Sequence, residues 1–254
     1  MLPVRPKKHL GQHFLKDENI AQKIVESLLY SGNLLEIGPG TGVLTKYLIR
    51  KANNFKVVEI DRESVEHLEA TFPDLTSRII KGDFIKLDLS DYFDAEFAVI
   101  GNFPYNISSQ IFFKVIQNRA MVPEVVCMIQ KEVAERLAAP PKNKTYGILS
   151  VLLGAFYDIE LLFTVSETVF IPPPKVKSAV IRLTRKANLN LNCDEVMFFD
   201  VVKTAFNQRR KTMRNSLKKF WFEKFDPDQY PVFKQRPEEL SVEEFVALVN
   251  ILDK

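Results

Sequence analysis

Cysteine is nearly missing from this chain. Its 254 residues include two, Cys127 in an apolar, strand-like run and Cys193 in a polar connector. Neither sits in a C-x-x-C pair, so zinc and redox readings lack ligands, and a reducing compartment fits best. Long apolar stretches are missing too. The longest, "ILSVLLGAFY", is too short to cross a bilayer. The basic N-terminus has no apolar segment behind it, which argues against a secretory signal. Internal repeats and low-complexity tracts are also absent. These absences predict a cytoplasmic protein without metal or membrane contact. What is present is ample core material: hydrophobic residues make up 46% and charged residues 26%, enough for one large globular domain or a domain with an appendage.

Net charge is only +3, but it is unevenly spread. Residues 1–16 carry four Lys/Arg and no acid, and residues 203–224 carry eight Lys/Arg and one acid. The remainder is therefore net negative. Two basic patches on an otherwise acidic chain suit a polyanionic partner. Arg209, Arg210, Lys211, Arg214 and Lys218 fall within a stretch expected to form a helical, phosphate-facing surface.

"DENIAQKIVESLLY" repeats apolar residues at helical spacing. Strand-like runs then alternate with helical ones: "NLLEIG", "FKVVEI", "SRIIKG", "FAVIG" and "EVVCMIQ" are separated by segments such as "RESVEHLEAT" and "SSQIFFKVIQ". That alternation predicts an α/β fold with a parallel, Rossmann-like sheet and helices on both faces. "DIELLFTV" and "KSAVIRLTR" have a non-helical connector and should pair antiparallel, giving seven strands that end in a reversed edge strand. After about residue 194 no run reads as a strand. The expected division is 1–186, an α/β domain, and 194–254, a small all-helical domain whose last helix opens with a capping box, Ser241 and Glu244.

"EIGPGTG" follows the first of these strands. Gly38 and Gly40 allow a tight strand-to-helix turn and close approach of a ligand. Glu59 closes the next strand 21 residues after Gly38, where a carboxylate accepts hydrogen bonds from both hydroxyls of a ribose. A nicotinamide dinucleotide site would want a third glycine where Val43 stands. Asp83, at the end of the following strand, can accept from an exocyclic adenine amine. All these residues fall at strand carboxyl ends, where open parallel sheets bind ligands, and so does "GNFPY".

Asn102-Phe103-Pro104-Tyr105 provides two acceptors and a flat ring. An adenine amine is a poor nucleophile because its lone pair is delocalised. The Asn102 side-chain oxygen and the Phe103 carbonyl, accepting its two N–H bonds, would favour a pyramidal nitrogen. Pro104 keeps Phe103 extended, and Tyr105 gives the base a surface for stacking. Such a base must be unpaired or flipped.

"KKHLGQHFLKD", "EIGPGTGVLT", "VVEID", "GNFPYNISS", "VFIPPPKVKSAV" and "AFNQRRKTMRNSL" occur in that order over nearly the whole chain. This set resembles the small-subunit ribosomal RNA adenine N6,N6-dimethyltransferases, the kasugamycin-sensitivity methylases, which are related to the erythromycin-resistance methylases of large-subunit RNA. The resemblance implies S-adenosylmethionine as cofactor and dimethylation of two adjacent adenosines near the 3′ end of small-subunit RNA. It implies the small ribosomal subunit as partner and a monomeric enzyme. It also implies cofactor contacts at His13, Leu15, Gly38, Glu59, Asp83 and Asn102, and an aromatic, Phe170, packed on the target base; a core role for Phe170 is the alternative. Rival readings are a methylase of large-subunit RNA or DNA, a ribosome-assembly factor, and a nicotinamide oxidoreductase, the last disfavoured by Val43.

Overall fold

The computed structural model describes residues 4–52, 54–221 and 225–253. The chain forms two compact units, one of Met1–Ala134 with Ile159–Arg185, the other of Glu135–Asp158 with Lys186–Lys254.

In chain order the elements through the sheet are β1 (Phe14–Leu15), α1 (Glu18–Glu26), β2 (Asn33–Ile37), α2 (Thr45–Leu48), β3 (Phe55–Glu59), α3 (Arg62–Thr71), β4 (Ile79–Lys81), β5 (Phe97–Asn102), α4 (Ser108–Gln117), β6 (Glu124–Gln130), α5 (Lys131–Leu137), α6 (Ile148–Gly154), β7 (Tyr157–Val165), β8 (Phe170–Ile171) and β9 (Ser178–Arg185). Seven strands form one sheet in the order β4-β3-β2-β5-β6-β9-β7. β2 to β6 pair in parallel, and β9 runs antiparallel to β6. The reversed strand, last in sequence, thus lies one place in from the edge, where β7 sits. The central strands are apolar on both faces, as a helix-covered parallel sheet requires: Leu34, Leu35, Val57, Val99, Ile100, Val125 and Val126 are all fully buried.

Local chemistry sets the ends of these elements. Asp17 caps α1 by accepting from the Ile20 N–H at 3.0 Å, and Ala21, Ile24 and Val25 on its inner face are buried. Glu124 accepts the Leu29 and Tyr30 N–H groups at 3.1 and 2.7 Å, which fixes the turn entering β2. At Gly101 a β-carbon would lie 2.5 Å from the Ile37 carbonyl oxygen. Only glycine lets β5 pass β2 this closely, and the result is to set Asn102 against the glycine loop.

In the second unit, α7 (Glu195–Asn207) is capped by Asp194 and buries Phe198, Val201, Val202, Ala205 and Phe206. It packs with α6 and with α9 (Val242–Leu252). Phe156 stacks on Phe199 at 6.3 Å, and Tyr146 lies 6.2 Å from Phe206. These apolar contacts explain why residues 135–158 group with the C-terminal helices although they lie between strands in sequence. Ser241 and Glu244 form the reciprocal cap of α9, at 3.2 and 2.7 Å.

The basic stretch is not one helix, contrary to the reading from composition. The helix ends at Asn207, Arg209–Lys211 form a turn, and Arg214 lies in the short α8 (Met213–Ser216). Lys218 belongs to a 3-10 turn, Lys218–Phe220, and Lys224 lies outside the described residues. Three consecutive cations in a helix would bring like charges together with those one turn on. The Lys211 N–H instead closes a turn on the Gln208 carbonyl at 2.8 Å.

Candidate active site

The carboxyl ends of β2, β3, β4 and β5, together with residues 10–14, line one cavity. Gly38, Gly40, Glu59, Asp83, Asn102, Phe103, Pro104, Tyr105 and His13 all lie on its wall. Eight of these follow from four separated stretches of the sequence, and His13 from the family resemblance.

The glycine loop adopts left-handed backbone at Gly38, φ 64°, and at Gly40, φ 56°. The space a Gly38 β-carbon would fill is open, with no atom within 4 Å. The Gly40 N–H donates to Glu59 Oε2 at 3.1 Å, while the Ile60 and Asp61 N–H groups donate to Oε1 at 2.9 Å each. Burial pushes the Glu59 carboxyl above its usual range, and these three N–H bonds pull it back only in part. Oε1 is therefore saturated, and Oε2 retains acceptor capacity for a ligand.

Beneath the loop, Glu36 is 1% exposed. Its Oε2 accepts the Thr45 hydroxyl at 2.7 Å, which ties the end of β2 to α2. Burial raises its pKa to about 8; the Thr45 hydrogen bond opposes this and the nearby Glu59 charge adds to it.

The side-chain amide of Asn102 donates from Nδ2 to the His13 carbonyl at 2.9 Å. A carbonyl can only accept, so this bond decides which end of the amide faces away, and the side-chain oxygen is left unengaged among the described residues. The Phe103 N–H is held by the Met128 carbonyl at 3.0 Å. Its own carbonyl accepts no hydrogen bond among the described residues. The Phe103 ring is buried, edge-on to Phe112 at 5.9 Å. Tyr105 is bonded through its hydroxyl to Ser178 Oγ at 2.6 Å, and its ring lies against the His13 imidazole at 5.4 Å with 28° between planes. His13 Nδ1 donates to the Pro172 carbonyl at 2.8 Å.

Two expected site residues are not brought to the cavity. Leu15 and Phe170 face each other in the two-stranded β1–β8 pair and belong to the hydrophobic core, 3% and 1% exposed. The alternation that points Phe14 to the cavity turns Leu15 inward. Phe170 is a core residue here.

Three residues were missed from sequence. Asp61 caps α3 and is 2% exposed. It pairs with Lys7 and accepts from Gln12 Nε2 at 3.2 Å. Burial pushes its carboxyl up, but the hydrogen bonds of Lys7, Gln12 and the Glu63 N–H outweigh that and hold it below the usual range. The Lys7 N–H in turn donates to Gln12 Oε1 at 2.8 Å. This clasp secures the N-terminal segment as a wall of the cavity. The available signal was the acid after Glu59 in "VVEID", which could have been matched to the basic N-terminus. Among the described residues there is no cluster of metal-ligating side chains and no helix long and apolar enough to cross a membrane.

A family model described as ribosomal RNA adenine dimethylase matches residues 4–254. A ribosomal RNA small subunit methyltransferase A from Parabacteroides distasonis is 58% identical over 99% of this chain and 95% of its own length. One of the same name from Cytophaga hutchinsonii is 58% identical over 99% of each. Among solved structures, a dimethyladenosine transferase from Plasmodium falciparum superposes with a TM-score of 0.81 at 25% identity, covering 95% of this chain and 98% of that one. The 23S rRNA methyltransferase ErmE shares the fold, with a TM-score of 0.67 at 24% identity over 95% of this chain and 100% of its own.

The buried Glu36 makes stability depend on pH. Its folded pKa of about 8 lies above the ordinary glutamate value of 4.5, so between these values the folded state holds a proton that the unfolded chain has released. Its contribution is present at low pH and falls as pH rises through this window. Glu36→Gln keeps the acceptor for Thr45 and removes the titration. Thermal melts from pH 5 to 9 should therefore fall less steeply for Glu36→Gln than for wild type. Parallel curves would mean that Glu36 is ionised in the fold throughout.

Proposed function

From the premise that the chain belongs to the ribosomal RNA adenine dimethylase family, we propose that it transfers methyl groups from S-adenosylmethionine to the N6 amines of two adjacent adenosines in a hairpin near the 3′ end of small-subunit (16S) RNA, during assembly of that subunit. The observation that carries this reading is the pair of unengaged acceptors, the Asn102 side-chain oxygen and the Phe103 carbonyl, at the wall of a cavity shared with Glu59. The small-subunit substrate is favoured over a large-subunit one by the names of relatives at 58% identity.

The residues fit an adenosyl group. Glu59 Oε2, which already accepts the Gly40 N–H, has acceptor capacity for one ribose hydroxyl, the backbone is open at Gly38, and Ile60, an apolar side chain 56% exposed, lies on the same wall. Asp83 accepts the Ile85 N–H through Oδ1; Oδ2 has the exposed Lys86 ammonium at 3.9 Å, beyond hydrogen-bond distance, and keeps acceptor capacity for an adenine amine. Backbone groups of His13, Gly38 and Gly40 would line the rest. When bound, S-adenosylmethionine supplies an electrophilic methyl group.

The chain's own residues prepare the nucleophile. Asn102 and the Phe103 carbonyl accept the two N–H bonds of the target amine and draw its lone pair out of conjugation. Both are fixed before the base arrives, Asn102 by His13 and Phe103 by Met128, so their dipoles need no reorganisation. Tyr105 offers a stacking surface worth ~1–3 kcal/mol. No strong base is needed, because a methylated aminium is acidic enough to pass its proton to water. The target must leave its helix to enter the cavity.

The second unit would bind RNA through phosphates. Arg209 is engaged within its own unit, donating to the Lys144 carbonyl at 2.6 Å, with Glu238 at 3.8 Å, and Arg214 pairs with Asp228. Arg210, Lys211 and Lys218 are the better phosphate contacts. The chain is expected to work in the cytoplasm as a monomer.

Incubation of the protein with labelled S-adenosylmethionine and under-methylated small subunits tests the reading. Label should map to two neighbouring adenosines near the 3′ end of the RNA; absence of label there, or label elsewhere in that RNA, would overturn it. Neutralising Arg210, Lys211 and Lys218 together should weaken RNA binding across sequences and reduce the salt slope by roughly two to three, while cofactor affinity holds. An unchanged slope would mean that these cations only face solvent.

A further inference from the structure

Ser178 opens β9, the one strand shown to run against its neighbour β6 in the large sheet. The parallel strands direct their carboxyl ends to the cavity. A reversed strand brings its first residue there instead, and the register places Ser178 opposite Gln130, the last residue of β6. Ser178 is fully buried, so its hydroxyl needs a partner within the protein. That partner is the Tyr105 hydroxyl, 2.6 Å away.

We infer that Ser178 is a positioning residue for the transfer: it holds the Tyr105 ring in one place beside the cavity so that the ring is ready as a platform for the target base. This rests on the reading of Tyr105 as that platform. A tyrosine hydroxyl lies on the axis about which its ring turns, so a bond there leaves that soft turn free but fixes the swing of the ring about Cα–Cβ. Bonding the ring's far tip to a sheet strand holds that swing. The turn about the ring's own axis is limited by His13, whose imidazole lies against the Tyr105 ring and is itself held by the Pro172 carbonyl. Ser178 and Pro172 both belong to the run "VFIPPPKVKSAV". That motif therefore acts on the base through Tyr105, while its own aromatic, Phe170, lies in the core. A platform ordered in advance spares the base the cost of ordering it on arrival.

The experiment is steady-state methylation of under-methylated small subunits by Ser178→Ala, Ser178→Thr, Tyr105→Phe, Ser178→Ala/Tyr105→Phe and Tyr105→Leu, with S-adenosylmethionine affinity measured by calorimetry. Ser178→Ala and Tyr105→Phe should each lower kcat by about threefold to tenfold, the reach of one neutral hydrogen bond. Cofactor affinity and the KM for subunits should stay within twofold. The double variant should be no worse than either single one, because both remove the same bond, and Ser178→Thr, which keeps the hydroxyl, should restore most of the rate. Tyr105→Leu should be the most impaired. Wild-type kcat in Ser178→Ala beside an impaired Tyr105→Leu would overturn the role of Ser178 alone. An unimpaired Tyr105→Leu would overturn the platform itself. Additive losses in the double variant would show that the two hydroxyls act separately.

Discussion

The hydrogen bond from Asn102 Nδ2 to the His13 carbonyl governs what the cavity can do. An amide has a donating end and an accepting end, and a free one presents both. Tying the donor to a carbonyl leaves an acceptor alone facing the cavity, and an amine that must give up conjugation needs acceptors. The bond is long-range in sequence: it joins the end of β5 to a segment that precedes the first helix. Whatever holds residues 7–16 in place therefore contributes to the chemistry at Asn102. Asp61 anchors that segment through Lys7 and Gln12, and the Lys16 N–H bonds the Val169 carbonyl at 2.9 Å. Asp61 also donates its N–H to Glu59. One acidic residue thus links the wall of the cavity to the carboxylate assigned to the ribose.

Topology does the rest of the positioning. The four parallel strands β2 to β5 deliver a glycine loop, two carboxylates and an amide to one rim, each at the end of a strand that is rigid because it is buried on both faces. Gly101 brings β5 close to β2 just before Asn102. The reversed β9 supplies a hydroxyl to the same rim from its opposite end. Loops could carry the same groups, but with a spread of positions that a transfer reaction tolerates poorly.

Much of this was legible in the chain. The alternation of apolar runs with helical ones points to a parallel sheet with helices between its strands, and the acids and glycines at strand ends point to the cavity wall. The sequence failed where the information is tertiary. Residues 135–158 fall inside the 1–186 division expected from sequence, and nothing local says that α6 buries its apolar face against α7 and α9. Leu15 and Phe170 sit inside recognisable motifs, yet a two-residue strand pair turns them into the core, because alternation along β1 allots the cavity to Phe14. The basic stretch has a helix-like density of cations, but charge repulsion and a turn at Gln208 break it. Asp61 went unassigned because its partners lie more than forty residues away at the other end of the domain's chain.

Single-turnover methylation of under-methylated small subunits by Asn102→Ala and Asn102→Asp tests the central claim most directly, with RNA affinity followed in parallel. The alanine variant removes the acceptor, and the rate should fall by on the order of 10²–10³, as for loss of one preorganised polar group. The aspartate variant keeps acceptors but loses the N–H that bonds His13, so its carboxylate faces a carbonyl oxygen and its rate should fall as well. RNA affinity should be nearly unchanged in both. A wild-type rate in Asn102→Ala would contradict activation of the amine by this acceptor, and a wild-type rate in Asn102→Asp would contradict its orientation by His13.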